Sequence, residues 1–166
     1  MLWRRMRAAG SASLNNGIWI LPHTQQSSEI IQEMQAYVDR QGGTSLIFEA
    51  VVFDQPTENR IVERFRQDRQ QEYYEIAEQC SDFLDEIDKE TRRQNFSYAE
   101  YEENEQDLVK LESWLSKVRQ RDFLGGKESE AAGALLDQCR QALQGFASAV
   151  FDRERSDNLS IIEKES

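Results

Sequence analysis

The first 22 residues carry a helical apolar pattern followed by a strand–turn–strand pattern. Apolar side chains recur at i, i+4 and i+7, which predicts one face of a helix: Leu2, Met6 and Ala9. Gly10 follows this face and predicts the end of the helix. Residues 11–14 and 18–21 flank Asn15-Asn16-Gly17, a sequence typical of a tight hairpin turn. This part of the chain therefore predicts a helix and a complete β-hairpin.

A second helix and a third strand are predicted next. Ser27 or Ser28 is expected to cap the helix, whose apolar positions have helical spacing: Ile30, Ile31, Met34, Tyr37 and Val38. Residues 44–53 are rich in β-branched and aromatic side chains, which predicts a strand. With one more strand in front, this order would be a ferredoxin-like βαββαβ unit. We therefore predict an α+β fold whose ferredoxin-like unit lacks its first strand. A late start codon, a truncated copy or an edge completed by another chain would each explain the gap.

From Thr57 onward the pattern is helical and predicts a three-helix bundle. Helices are expected over residues 57–93, from Asn95 or Ser97 to 121, and over 129–152. The third helix has a continuous apolar stripe that we interpret as core: Ala132, Leu135, Cys139, Leu143, Phe146 and Val150. The expected organisation is a partial ferredoxin-like subdomain at 1–54, a helical bundle at 55–152 and a flexible tail at 153–166.

Polar residues interrupt the apolar stripes of the first two bundle helices. In the first helix the gap falls on Arg69 and on either Glu72 or Tyr73, and in the second it falls on Asn104 or Glu105. A charge on the core side of a bundle must be paired or hydrogen-bonded. We therefore expect Arg69 to bridge Glu72 or Glu105, with Arg121 extending the network. Antiparallel packing would bring the two interruptions together.

Three interpretations of this polar cluster stay open at this point. It is a salt-bridge cluster that fixes the register of the bundle, an exposed edge, or a pocket in which arginines hold an anion. The candidate anion-binding residues are Arg69, Glu72, Tyr73, Glu105 and Arg121. Carboxylates at i, i+3 spacing suggest a di-iron site, but such sites take Glu-x-x-His pairs, and the single histidine, His23, lies in a loop. We expect no metal.

Charge is distributed unevenly along the 166 residues, whose net charge is −11. Residues 1–22 hold no acidic side chain and three arginines, the candidate nucleic-acid contacts: Arg4, Arg5 and Arg7. Solvated arginines are the simpler interpretation of this patch. The acidic remainder of the chain disfavours direct DNA binding by this chain alone. There is no apolar run long enough for a membrane span, and we expect a cytoplasmic protein.

The residues that usually carry catalysis are sparse. Cys80 and Cys139 lie on apolar helical stripes, where reduced thiols act as small hydrophobic groups, with a disulfide between them as the alternative. Neither cysteine has the paired spacing of a zinc site. Glycine-rich phosphate loops and nucleophile elbows are missing from the sequence. We expect neither enzymatic activity nor a cofactor.

Short segments spread along the chain match the pattern of a known family in order and spacing. They are Trp3-Arg4-Arg5 with Gly10, Asn16 to Pro22, Gly42-Gly43, Phe65 with Arg69 and Glu72-Tyr73, Glu102-Glu103 through Lys110, Leu111 and Trp114, and Arg121-Asp122-Phe123. On these segments, residues 2–152 resemble the N-terminal domain of the chromate-resistance regulator family ChrB. The resemblance implies a regulatory domain associated with transcriptional control of chromate efflux, which a separate C-terminal domain follows in that family. The hairpin region also resembles the ferredoxin-like module of PaaX-type repressors.

The sequence as a whole favours a non-enzymatic regulatory module of the chromate-resistance regulator type. Oxyanion sensing and a contribution to transcriptional control are the two expected roles, although no residue can be assigned to chromate. Two alternatives remain. One is a relic of a ferredoxin-like nucleic-acid-processing enzyme. The other is a protein-interaction module that binds a protein partner or forms a homodimer through the open sheet edge.

Overall fold

The computed structural model describes the backbone of residues 1–164 and the side chains of residues 1–156. This part of the chain forms five helices and one two-stranded antiparallel sheet. In chain order the elements are α1 (Leu2–Ala8), β1 (Ala12–Asn15), β2 (Ile18–Ile20), α2 (Gln25–Arg40), α3 (Gln55–Arg92), α4 (Tyr98–Gln120) and α5 (Lys127–Lys164). The predicted α+β fold, predominantly helical, is confirmed. The described helices include none that is long and apolar enough to cross a membrane.

The chain divides into two compact units. The first, which we call the N-terminal unit, comprises Met1–Gln71 and Arg119–Gly125. The second, which we call the bundle unit, comprises Glu72–Val118 and Gly126–Ser166. The N-terminal unit therefore contains α1, the hairpin, α2 and the first part of α3, whereas the bundle unit contains the rest of α3, most of α4 and α5.

The start of the N-terminal unit follows the sequence pattern closely. α1 ends before Gly10, whose φ of +81° is the left-handed conformation that favours glycine. The hydroxyl of Ser11 donates to the Met6 carbonyl at 2.6 Å and fastens the chain to α1 as it leaves the helix. The hairpin pairs Ala12 with Ile20 and carries an irregularity between Ser13 and Asn15. The predicted helix and hairpin are therefore both present.

The N-cap of α2 lies earlier than the sequence pattern predicts. Thr24 has an extended backbone, and its Oγ1 accepts a hydrogen bond from the Ser27 amide at 3.1 Å. The prediction of Ser27 or Ser28 as the cap is wrong, because the amide of Ser27 is itself one of the donors that a cap must satisfy. The helix consequently starts at Gln25.

Residues 44–53 form no strand, so the predicted third strand is absent from the structure. Among the described residues, none of these ten takes part in a backbone–backbone hydrogen bond. High β propensity expresses how well a side chain fits a paired, half-buried strand, and the sheet here contains only β1 and β2. Without a neighbouring strand to pair with, residues 44–53 do not form a strand despite their high β propensity. The ferredoxin-like arrangement is therefore not confirmed.

The bundle unit has one continuous apolar core drawn from α3, α4 and α5. Its most deeply buried side chains include Ile76, Cys80, Val118, Leu136, Cys139 and Val150. The stripe predicted for α5 is confirmed except at one step, where Leu136 is buried and Leu135 is only partly buried.

Both cysteines are free, and the Cys139 thiol donates to the Cys80 carbonyl at 3.5 Å. Burial raises the pKa of Cys139 to about 12, so this thiol stays protonated at neutral pH.

The ends of the long helices differ from the predicted ones in both directions. α3 starts two residues before Thr57, and the Asp54 carboxylate accepts a hydrogen bond from the Thr57 amide at 2.8 Å. α5 continues through the backbone to Lys164, beyond the predicted end at 152. The flexible tail predicted for 153–166 is therefore helical as far as Lys164, and residues 165–166 lie outside the described part of the chain.

Candidate functional site

The buried arginine predicted by the interrupted stripe lies in the N-terminal unit. The Arg69 side chain is only 8% exposed, as expected for a residue on the core side of α3. Its Nη1 donates to the backbone carbonyl of Arg121 at 3.5 Å. Arg121 belongs to the loop that follows α4, and its side chain is half-buried. We call the group formed by Gly10, Phe65, Arg69, Arg121, Asp122 and Phe123 the Arg69 junction.

Two further contacts hold the Arg69 junction together: one between aromatic rings and one at a glycine. The rings of Phe65 and Phe123 meet edge to face, with 6.0 Å between centroids and an interplanar angle of 87°. A Cβ atom added at Gly10 would lie 2.5 Å from the Arg121 carbonyl oxygen and 2.9 Å from the Arg121 Cβ. Both the positive φ and the close approach of the loop therefore require glycine at this position.

Asp122 shapes the loop that supplies the rest of the Arg69 junction. Its Oδ1 accepts hydrogen bonds from the backbone amides of Leu124 at 3.1 Å and Gly125 at 3.0 Å. This is the local side-chain-to-backbone bonding that holds an aspartate turn. The carboxylate thus fixes the backbone that presents the Arg121 carbonyl and the Phe123 ring.

The structure divides the five candidate anion-binding residues between the two units. Arg69 and Arg121 lie in the N-terminal unit, whereas Glu72, Tyr73 and Glu105 belong to the bundle unit. Tyr73 is buried in the apolar core, and Glu72 is half-buried. Bridging of Arg69 to Glu72 or Glu105 stays a prediction.

The gap in the α4 stripe is filled by Asn104 and not by Glu105. Asn104 is 5% exposed, and its Nδ2 donates to the Glu100 carbonyl at 2.7 Å. Glu105 is exposed and accepts a hydrogen bond from the Tyr101 hydroxyl at 2.7 Å, which raises the pKa of Tyr101. Burying a neutral amide costs less free energy than burying a charged carboxylate, which explains why Asn104 takes the inward position.

The bundle unit contains a polar cavity that the sequence pattern did not predict. It has a volume of about 720 Å³ and is lined by five carboxylates and one arginine, Arg93, together with Gln94, Asn95 and Asn104. Glu90 is buried at its wall and accepts from Asn95 Nδ2 at 2.5 Å, and this hydrogen bond lowers the pKa of Glu90. The excess of carboxylates makes the cavity unfavourable for an anion. Across the described residues, no group of three or more histidine, cysteine, aspartate or glutamate side chains is arranged to hold a metal ion.

The three arginines of α1 lie at the surface and differ in their contacts. The Arg5 guanidinium lies 4.8 Å from the centroid of the Tyr37 ring, which ties it to α2. The Arg4 guanidinium lies 5.6 Å from the Trp3 ring, and Arg7 is exposed. The structure therefore leaves Arg4 and Arg7 accessible, and nucleic-acid contact by these residues stays a prediction.

Two separate sequence signals mark residues of the Arg69 junction, but neither predicts that these residues lie together in space. The gap in the apolar stripe marks Arg69, and the positions Gly10, Phe65 and 121–123 stand out only as scattered matching segments. The fold brings all of these segments together within the N-terminal unit.

Comparison with known proteins gives one family match. A family model described as Protein ChrB, N-terminal, matches residues 1–157, which includes the whole Arg69 junction. No curated protein and no solved structure matches the chain significantly.

Proposed function

The chain belongs to the ChrB N-terminal family, and from this premise we propose that it is a non-enzymatic regulatory module that senses an oxyanion at the Arg69 junction. The family suggests a role of the chromate-resistance regulator type and is not an enzyme family. Chromate is therefore the first oxyanion to test. A contribution to transcriptional control is part of the same proposal.

The observation that carries the proposal is the buried guanidinium of Arg69 beside the loop at 121–123. A guanidinium presents five N–H donors in a planar fork, which matches two oxygens of a tetrahedral oxyanion. Burial lowers the local dielectric constant and strengthens such an interaction. The half-buried Arg121 adds a second positive charge to the same loop.

The distribution of charge in the rest of the chain also favours the Arg69 junction as the oxyanion site. The polar cavity of the bundle unit is lined by five carboxylates, which would repel an oxyanion. The arginines of α1 are exposed to solvent, where ion pairs contribute little. The Arg69 junction combines a buried guanidinium with a second arginine in the loop that contacts it.

Thermal unfolding in the presence of oxyanions tests the proposal. A ligand that binds only the native state stabilises it by about 2.7 kcal/mol at a hundredfold excess over its dissociation constant. We expect millimolar chromate to raise the unfolding midpoint of the wild-type chain. Sulfate and phosphate measured in parallel establish whether the site selects chromate or accepts any tetrahedral oxyanion.

Two arginine substitutions on the same helix locate the effect. Arg69→Met should abolish the oxyanion-induced shift, whereas Arg66→Met should leave it unchanged, because Arg66 is exposed and pairs with Glu63 at 3.3 Å. Arg69→Lys keeps the charge but loses the planar fork, so it should reduce the shift. A normal shift in a folded Arg69→Met variant would sink the assignment, as would no shift with any oxyanion in the cooperatively folded wild type.

A further inference from the structure

The loop between α2 and α3 exposes a run of large apolar side chains. Exposure reaches 78% for Leu46, 81% for Phe48, 95% for Val51 and 96% for Phe53. We call residues 46–53 the apolar segment. Scattered exposed apolar residues are normal on a protein surface, but a contiguous run of this kind marks an interaction site.

The apolar segment exposes a large apolar area. The six large apolar residues of the apolar segment expose roughly 900 Å² in one chain, whereas monomers seldom expose a contiguous apolar patch above a few hundred Å². When two copies pair through this segment, apolar side chains contact their cross-strand partners, and part of this area is removed from water.

The backbone of the apolar segment is also available for pairing. Within the described chain, residues 44–53 make no backbone–backbone hydrogen bond, although their side chains have the β-branched and aromatic character of a strand. Addition of a strand from a second molecule would satisfy these donors and acceptors. The partner must offer an extended segment that is itself apolar.

We propose that the partner is a second copy of this chain, paired antiparallel through the apolar segment with the two-fold axis at Ala50. This register places Phe48 opposite Val52 and Ile47 opposite Phe53. Glu49 then faces Val51, whereas an axis at Glu49 would place two carboxylates directly opposite each other.

Charge also favours pairing through this segment. The chain carries a net charge of −11, so two copies repel each other over most of their surfaces. Glu49 is the single charged residue within the apolar segment, and its carboxylate lies 3.2 Å from His23 Nδ1. This stretch is therefore where two copies can approach with little repulsion.

Disulfide trapping tests the register of the proposed dimer. A cysteine at the two-fold axis faces its own copy, so Ala50→Cys should form a cross-linked dimer rapidly on mild oxidation. Leu46→Cys is the matched control, because the proposed register separates the two copies of residue 46 by several residues along the strands. The native thiols of Cys80 and Cys139 are fully buried and do not compete. Equal cross-linking of both variants would overturn the register.

The mass of the chain in solution tests the dimer itself. Sedimentation from 1 to 100 µM should show a concentration-dependent dimer for the wild type. Phe48→Glu places a carboxylate opposite Val52 and should weaken dimerisation at least tenfold, whereas Val109→Glu, at an exposed valine of α4, should leave it unchanged. A monomer throughout this range would overturn the proposal, and so would a dimer that survives Phe48→Glu.

Discussion

The bundle unit and the N-terminal unit are each stabilised internally by different interactions. The bundle unit buries an apolar core contributed by three helices. The N-terminal unit buries few apolar side chains, among them Met6, Ala12 and Met34, and it also buries polar groups: Ser11, Ser27 and Arg69. Stability in the bundle unit thus comes mainly from removing apolar surface from water. In the N-terminal unit it depends on individual hydrogen bonds, caps and close contacts, so the N-terminal unit should be the more sensitive one to small changes in geometry.

Removing a large ring from the bundle core should give the largest effect. Phe146 is 2% exposed and packs against Phe96 with 5.6 Å between ring centroids. Phe146→Ala should lower the free energy of unfolding by about 3–5 kcal/mol through lost burial and the remaining cavity. Urea unfolding followed by far-UV circular dichroism measures this loss. Phe151→Ala on the same helix is the control, because Phe151 is 56% exposed and should cost about 1 kcal/mol or less.

Alanine substitutions at Gly10 and Gly17 distinguish the stability lost through a steric clash from the stability lost through an unfavourable backbone conformation. Gly10 and Gly17 have nearly equal positive φ angles, +81° and +84°, but only Gly10 has neighbours within 4 Å of an added Cβ. Gly17→Ala should therefore cost about 1 kcal/mol. Gly10→Ala should cost about 2–3 kcal/mol, because the contact with Arg121 adds to the conformational penalty.

Tryptophan fluorescence can follow the N-terminal unit alone in these two variants. Trp3 and Trp19 belong to the N-terminal unit, and Trp114 belongs to the bundle unit. A Trp114→Phe background leaves only the N-terminal reporters. Equal destabilisation by the two alanine substitutions would contradict the packing of Gly10 against the loop.

Loss of the α2 cap should have a smaller effect. Thr24→Ala removes the acceptor for the Ser27 amide and should cost about 1 kcal/mol. Ser28→Ala is the control, since the Ser28 hydroxyl donates back to the Thr24 carbonyl at 3.1 Å within the helix and should change stability by about 0.5 kcal/mol or less. A larger loss in the Ser28 variant would restore Ser28 to the capping role. Both values follow from urea unfolding in the Trp114→Phe background.

The smallest expected effect is the pH dependence that Glu90 gives to the bundle unit. The hydrogen bond from Asn95 and the nearby Arg93 and Lys89 lower the pKa of Glu90 below its ordinary value of 4.5. A group with a lowered folded pKa stabilises the protein above its unfolded pKa, and this contribution disappears as the pH falls through the folded value. The unfolding midpoint should therefore drop between about pH 5 and the folded pKa more steeply in the wild type than in Asn95→Ala. Identical pH profiles would show that Asn95 does not stabilise the carboxylate.

Hydrophobic spacing predicted the bundle well because the core there depends mainly on side-chain periodicity. The buried positions of α5 follow the predicted stripe, with only Leu136 replacing Leu135. The gap in the α3 stripe correctly marked Arg69 as a buried charge. Composition did not distinguish Asn104 from Glu105, since both lie close to the same helical face and only packing decides which one turns inward.

Long-range pairing limited what the sequence could predict for the N-terminal unit. Residues 44–53 have the composition of a strand, but a strand exists only where another strand pairs with it. The Arg69 junction joins segments that are far apart in the chain, and apolar periodicity carries no information about such contacts. Gly10 signalled the end of a helix, whereas its contact with Arg121 appeared only in the structure.

Hydrogen exchange measured by mass spectrometry, with and without millimolar chromate, shows whether the Arg69 junction binds the oxyanion. We expect increased protection in peptides covering residues 65–71 and 119–125, because ligand binding stabilises the Arg69 junction against local opening. Peptides around the polar cavity at Glu90 and Asn104 should exchange at unchanged rates. Unchanged exchange throughout the chain, or protection confined to the bundle cavity, would contradict an oxyanion site at Arg69.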